Sequence, residues 1–193
     1  MGVGPHPEPW PDDDRLDPEL LAAGDTRNVE DRFRYWSREA IVAELDNRRI
    51  PLHVVIENWE HDFNIGSVVR TANAFNVAAV HVVGRRRWNR RGAMVTDRYM
   101  HVHHHPDLAA FLAAFADIPL VAIDNVPGAV AVETVAFPSP CALVFGQEGP
   151  GLSAEALQLA EMTVMIPQTG STRSMNAGAA AAIAMYEWRR QHA

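Results

Sequence analysis

The run Val144-Phe145-Gly146-Gln147-Glu148-Gly149-Pro150-Gly151-Leu152-Ser153 decides which fold and which kind of site this chain is predicted to have. An apolar strand enters three glycines around one carboxylate, and a serine follows where a helix cap is expected. Glycines let a backbone wrap closely around a ligand. The simpler alternative is a tight turn before a capped helix. A triphosphate-binding loop is excluded because it needs a lysine, and all 17 strongly basic residues are arginines.

Short apolar runs alternate with helical patterns on both sides of this run. Strands are predicted at 52–56, 79–83, 120–123, 142–145 and 163–166, and helices at 64–75, 107–115, 153–160 and 175–190. This alternation predicts an α/β fold on a largely parallel sheet, where ligands bind beyond the carboxyl ends of strands. No G-x-G-x-x-G pattern follows the first strand, which argues against an ordinary dinucleotide-binding domain.

The loop and helix after the first strand carry a second group of polar residues. Asn64 can begin a helix, Gly66 allows close backbone approach, and Arg70 lies less than two turns further along. Asn64 and Arg70 could therefore address one site. The alternative is that Asn64 only caps the helix while Arg70 forms a salt bridge.

A third loop follows the last predicted strand, which Pro167 ends. A helix opens near Ser174, and Asn176 early in that helix can tie loops together through its amide. The small residues 177–182 would let the helix pack close to another backbone. The alternative here is an ordinary capped helix.

In this order and spacing, the three segments resemble the signature of the SpoU/TrmH family of SPOUT methyltransferases. The matching motifs are Asn64-Ile65-Gly66-x-x-x-Arg70-Thr71-Ala72, then Phe145-Gly146-x-Glu148-Gly149-x-Gly151-Leu152-Ser153, and then Ile166-Pro167 followed by Ser174-Met175-Asn176. The resemblance covers about residues 51–188. Met175 stands where the family usually has leucine, and Asn76 where glycine often follows the first helix.

The resemblance implies a parallel SPOUT α/β fold with a C-terminal trefoil knot, and a homodimer. It also implies transfer of a methyl group from S-adenosylmethionine to a ribose 2′-hydroxyl of RNA, without a metal. The implied cofactor-binding residues are Gly146, Ile166, Met175, Val144 and Gly151. The implied catalytic group is Arg70, commonly drawn from the partner subunit, with Asn64, Glu148, Ser174 and Asn176 positioning it and the nucleotide.

The net charge of −7 does not suggest an RNA partner, but the distribution of charge does. Acidic residues crowd the first 31 positions, whereas no acidic residue interrupts 85–96. Arginine pairs with phosphate and stacks on bases, so this stretch is a candidate RNA-binding surface. Its members are Arg85, Arg86, Arg87, Arg90 and Arg91, and Trp88 among them could stack a base. The alternatives are a solvated arginine loop and a packing tryptophan.

We expect residues 1–27 to be a mobile acidic and proline-rich tail, 28–50 a helix, and 51–193 the methyltransferase domain. No signal peptide or membrane-spanning run is evident, which favours a cytoplasmic protein. The single cysteine, Cys141, is predicted to be a small buried hydrophobe. The histidines at 101 and 103–105 are expected to be solvated on an exposed loop rather than to bind metal.

Transfer RNA is favoured over ribosomal RNA as the substrate because the chain is short and lacks room for an added recognition domain. Two other hypotheses stay open. One is an RNA-binding protein of the same fold without catalysis, which a methylation assay would test. The other is a nucleotide-binding protein or dehydrogenase of ordinary topology, which would prefer NAD to S-adenosylmethionine.

Overall fold

The computed structural model describes residues 2–57, 62–84, 88–147, 149–172 and 174–193, without the side chains of 62 and 63. The chain divides into two compact units, Met1–Arg48 and Arg49–Ala193. Among the helices of the described residues, none combines the length and the apolar character needed to cross a bilayer.

The larger unit is built on a seven-stranded sheet in which every neighbouring pair is parallel. Its strands are β1 Ile50–Glu57, β2 Val77–Val83, β3 Val102–His105, β4 Leu120–Ile123, β5 Val130–Ala131, β6 Cys141–Phe145 and β7 Met162–Met165. The order across the sheet is β3-β2-β1-β6-β4-β7-β5. The predicted α/β class and parallel sheet are confirmed. Two strands were not predicted, because β3 is mostly histidine and β5 has two residues.

Four helices of this unit follow the strands and begin where polar side chains can cap them. They are α3 Asp62–Phe75, α4 Leu108–Ala114, α5 Ala154–Leu159 and α6 Ala177–Gln191. The side chains of Asp107, Ser153 and Asn176 accept backbone N–H groups at the starts of α4, α5 and α6. Two 3₁₀ turns, Arg90–Ala93 and Thr96–Tyr99, lie between β2 and β3.

The core lies on both faces of the sheet, because successive strand residues point to opposite sides. On β1, Leu52 and Val54 pack in the cluster that includes α3 and α6, whereas Val55 packs with α4 and α5. Strand β6 is entirely buried. Cys141 within it is a buried free thiol, as predicted, and burial raises its pKa to about 12.

The smaller unit does not contain the predicted helix over 28–50. Instead it has α2 at Arg38–Asp46, which follows α1 at Pro18–Ala23 and a 3₁₀ turn at Asp31–Phe33. Tyr35 has a positive φ of 62°, which interrupts a helix. Its N–H donates to the buried carboxylate of Asp25, and Ser37 then caps α2. The region 1–27, expected to be a mobile tail, includes α1 and an antiparallel bridge between Val3 and Asp25.

Candidate active site

A cavity of about 420 Å³ opens at the carboxyl ends of β4, β6 and β7, the place where open α/β sheets bind ligands. We call it the strand-end cavity. Of the residues predicted to contact a cofactor or nucleotide, five line it: Gly146, Gly151, Ile166, Ser174 and Met175. Motifs that are far apart in the sequence therefore meet at one edge of the sheet.

The glycine-rich run forms one wall of the strand-end cavity by folding back on itself. Gln147 and Gly151 exchange backbone hydrogen bonds of 3.0 and 3.1 Å. A Cβ atom at Gly146 would lie 2.2 Å from the carbonyl carbon of Gly151, so only glycine fits there. Gly151 itself has a φ of +77°, which also favours glycine. The predicted backbone cradle is present, and its closure explains two of the three glycines.

Not every predicted cofactor contact lies at the cavity. Val144 is fully buried in β6, and its side chain packs in the core with α4 and α5. This follows from its strand position, since Phe145 faces the opposite core and Gly146 begins the loop. Glu148 lies outside the described residues.

The first and third motifs are joined by a side-chain hydrogen bond. The amide of Asn176 donates to the side-chain oxygen of Asn64 at 2.9 Å, and its own oxygen accepts the N–H of Ala179. Asn64 is buried. At Gly178, an added Cβ would come within 3.3 Å of the Cβ of Ser67. The start of α6 therefore packs closely on α3, as the small residues suggested.

Arg70 lies exposed on α3 and is not among the residues that line the strand-end cavity. In the described part of the chain its guanidinium has no ion-pair or hydrogen-bond partner, so the salt-bridge alternative finds no support. Gly66 lets α3 pack against the 3₁₀ turn Arg90–Ala93. A Cβ at Gly66 would lie 2.2 Å from the carbonyl carbon of Gly92.

Three acidic or amide residues at strand ends were missed by sequence reasoning. Asp124 and Asn125 follow β4 and line the strand-end cavity. Glu57 ends β1 and is 6 % exposed. The rule that ligand sites lie beyond strand ends would have found them, since the strand before each was predicted.

The arginine-rich stretch is only partly visible, because Arg85, Arg86 and Arg87 lie outside the described residues. Arg90 and Arg91 are exposed on the 3₁₀ turn, and Arg90 lies 3.8 Å from Asp97. Trp88 is half-buried against the core, which agrees with the packing alternative. These contacts leave Arg90 and Arg91 accessible to a polyanion.

His103 and His104 are exposed as expected, but they lie on a strand and not on a loop, and His105 beside them is buried. His103 and His105 belong to β3, and His81 of β2 is fully buried between them and His53 of β1. The Nδ1 of His53 lies 2.9 Å from Nε2 of His81, and Nδ1 of His81 lies 3.0 Å from Nε2 of His105. Burial lowers the pKa of His81 to about 2. We call these four residues the histidine edge.

No metal site is evident at the histidine edge. Within the ranges that the structure describes, no group of three or more His, Cys, Asp or Glu residues has a geometry suited to a metal ion. The imidazole rings instead stack and hydrogen-bond with one another. Phe111 and Phe115 pack against His81 with ring centroids 4.9 and 4.5 Å away.

Comparison with known proteins identifies a family over most of the larger unit. The model of the SpoU rRNA Methylase family matches residues 51–186, which span all seven strands. This chain belongs to the SpoU rRNA Methylase family. The match covers the three motifs and excludes an ordinary dehydrogenase topology.

Two relatives are each 30 % identical to this chain, and each is named tRNA (guanosine(18)-2′-O)-methyltransferase. The protein of Escherichia coli aligns over 161 residues, 80 % of this chain and 70 % of its own length. The protein of Thermus thermophilus aligns over 171 residues, 83 % of this chain and 86 % of its own length.

Solved structures of SpoU proteins share the fold. An A. aeolicus TrmH/SpoU tRNA modifying enzyme, 24 % identical, superimposes with a TM-score of 0.71 over 80 % of this chain and 82 % of that one. The SpoU methyltransferase AviRb from Streptomyces viridochromogenes, in complex with AdoMet, is 28 % identical with a TM-score of 0.66. That alignment covers 77 % of this chain and 64 % of AviRb.

Proposed function

We propose that this chain transfers the methyl group of S-adenosylmethionine to a ribose 2′-hydroxyl of transfer RNA. The observation that carries the proposal is the strand-end cavity, where the glycine-rich run and the third motif of a SpoU family chain meet. The two relatives named as tRNA 2′-O-methyltransferases support the choice of acceptor.

The strand-end cavity fits S-adenosylmethionine in size and chemistry. Its volume falls within the range of about 300–1,000 Å³ that is usual for small-molecule sites. Ile166 and Met175 offer apolar contacts, and Gly146 adds backbone to the lining of the cavity. Asn125 and Gln168 add polar groups for the amino-acid or ribose parts. When bound, the cofactor would supply an electrophilic sulfonium methyl group. Transfer of this group needs no metal.

In this proposal Arg70 acts on the acceptor and not on the cofactor. A guanidinium stays protonated in proteins, so Arg70 would stabilise the developing alkoxide electrostatically. The proton of the 2′-hydroxyl would then pass to an RNA phosphate or to water. The hydrogen-bonded pair Asn64 and Asn176 would hold the nucleotide side of the cavity in place. Glu148 and Ser174 are proposed to assist in positioning.

A homodimer would explain why Arg70 lies outside the cavity of its own chain. Large apolar side chains are exposed close to α3: Ile183 and Tyr186 on α6, and Met94 and Val95 between the 3₁₀ turns. Tyr186 is 60 % exposed and Met94 67 %. A second copy covering this surface would bring its Arg70 to the strand-end cavity. We also propose that the C-terminal segment forms the trefoil knot implied by the resemblance. In that arrangement α6 would stay available for the contact between subunits.

A subunit-mixing experiment tests the dimer. Arg70→Ala and Gly146→Ala variants are each expected to be inactive, the second because the cofactor cannot bind. A mixed dimer would combine an intact cavity with an intact partner arginine, so mixing should restore activity. A mixture that stays inactive, although mixed dimers form, would contradict the partner's role.

The RNA substrate is tested by methylation with radiolabelled S-adenosylmethionine on purified tRNA and on ribosomal RNA. We expect label in the tRNA at a ribose position that resists alkaline hydrolysis. Ribosomal RNA is the second candidate, because the matched family is described by it. Label in ribosomal RNA alone would show that ribosomal RNA, and not tRNA, is the substrate. Label in neither RNA, despite cofactor binding, would favour a non-catalytic RNA-binding protein. We also propose a cytoplasmic location, where both RNAs are found.

A further inference from the structure

We propose that Glu57 and Asp124 are positioning residues which clamp the segment Gly151–Ser153 and so hold the wall of the strand-end cavity in its binding shape. The inference rests on the proposed use of this cavity for S-adenosylmethionine. Neither carboxylate belongs to the motifs that identify the family in this sequence. We call the two residues the carboxylate clamp.

The order of the strands creates the carboxylate clamp. β6 lies between β1 and β4, and Phe145 pairs with Ile56 on one side and Ile123 on the other. Glu57, Gly146 and Asp124 are thus each one residue beyond the same row of the sheet. The loop that leaves β6 must emerge between two carboxylates.

The two carboxylates bind consecutive peptide groups of this loop. Asp124 accepts the N–H of Leu152 at 3.0 Å. Glu57 accepts the N–H of Ser153 at 2.8 Å and its hydroxyl at 2.6 Å. Hydrogen bonds to a charged acceptor are stronger than neutral ones. Each carboxylate also lies near the start of α5, where the partial positive charge of the helix favours an anion.

The clamp is connected directly to the cradle that contacts the ligand. A Cβ at Gly151 would lie 2.8 Å from the carboxylate of Asp124, so the carboxylate packs over this glycine. The carbonyl of Gly151 accepts the N–H of Gln147, which closes the loop beside Gly146. Releasing residues 152 and 153 would therefore let the Gly146–Gly151 contact open. The expected consequence is a weaker site for the cofactor, with the acceptor side unchanged.

Replacing Glu57 by glutamine tests the clamp with little change in volume. Glutamine keeps one oxygen to accept the N–H of Ser153, but it removes the negative charge and turns a donor, its amide group, towards the Ser153 hydroxyl in place of an acceptor. We expect E57Q to raise the Kd for S-adenosylmethionine, measured by titration calorimetry, by about tenfold. The KM for the cofactor should rise by a similar factor, while kcat at saturating cofactor stays close to that of the unmodified enzyme.

Asp107→Ala is the matched control. Asp107 also binds a backbone N–H at the start of a helix, accepting that of Ala110 at 2.8 Å, but α4 does not line the strand-end cavity. Both variants should lower the melting temperature. Only E57Q should raise the Kd, because a merely stabilising contact would affect melting and leave cofactor affinity unchanged.

Asp124→Asn provides a second, independent arm that also serves if E57Q does not fold. It keeps one acceptor for Leu152 and loses the negative charge, so a smaller increase in Kd is expected. A folded E57Q or D124N whose Kd equals that of the unmodified enzyme would overturn the clamp, as would an equal increase in D107A. If the unmodified enzyme itself bound no S-adenosylmethionine, the proposed function would fail and not the clamp alone.

Discussion

The strand-end cavity is lined by glycines, by apolar and uncharged polar side chains and by the carboxylate of Asp124, whereas the histidine edge places four titratable rings side by side in the same sheet. At the cavity, reactive side chains are few and close backbone contacts set the shape. At the histidine edge, His53, His81 and His105 have ring nitrogens within hydrogen-bonding distance, yet the part of the structure described shows no metal geometry there. Among the described residues, the richest group of titratable side chains therefore does not coincide with the cavity that the family motifs line.

The largest effect is expected from Gly146→Ala at the cavity. The new Cβ would lie 2.2 Å from the backbone of Gly151, so the cradle cannot close. Cofactor binding by calorimetry and methylation should both be lost. Gly4→Ala is the control, because a Cβ there meets nothing within 4 Å. Undiminished binding in G146A would show that the cradle does not shape the site.

Arg70→Ala should slow methyl transfer to the acceptor without weakening cofactor binding. Loss of one electrostatic stabiliser of the transition state typically lowers kcat by about 100- to 1,000-fold. The Kd for S-adenosylmethionine should change little, because Arg70 does not line the cavity of its own chain. Single-turnover methylation alongside calorimetry measures both quantities, and retained turnover would exclude Arg70 from catalysis.

The histidine edge should make the free energy of unfolding decrease at acid pH. Burial lowers the pKa of His81 to about 2, and it also lowers the pKa values of His53, His103 and His105. Below an ordinary histidine pKa of about 6.5, the unfolded chain binds protons that the folded chain does not. The free energy of unfolding should therefore fall as the pH drops from 7 to 5.

His81→Gln tests this prediction, since glutamine can hydrogen-bond on both sides without gaining a proton. The slope contributed by His81 is at most about 1.4 kcal/mol per pH unit, and the variant should lack it. Urea unfolding at several pH values measures the slope. A variant as acid-sensitive as the unmodified protein would assign the effect to other groups.

The smallest effect is expected from Arg91→Ala, on the 3₁₀ turn Arg90–Ala93. If Arg91 contacts a phosphate, RNA affinity should weaken severalfold, and the dependence of log K on log salt should decrease by about 1. Filter binding at several salt concentrations measures this slope. Cofactor affinity serves as the internal control, because Arg91 is not a cavity residue.

Patterns of apolar and small residues predicted the strands and helices correctly where packing against any apolar neighbour is enough to form them. The strands β1, β2, β4, β6 and β7 and the helices α3, α4, α5 and α6 were placed within a few residues. The single helix over 28–50 was not, because Asp25, distant in sequence, holds the N–H of Tyr35 in a non-helical turn. The strand β3 was missed since three of its four residues are histidines, two of them exposed, so the sequence shows no apolar strand pattern there.

The sequence alone determined the parallel α/β class, because apolar periodicity is a local property of the chain, and it contained the three motifs whose resemblance indicated the family. Only the tertiary structure decided which strand ends are neighbours. The placement of β6 between β1 and β4 brings Glu57 and Asp124 to one loop, and the contact of α6 with α3 joins Asn176 to Asn64. Strand order is set by packing of the whole sheet, so no short stretch of sequence encodes it.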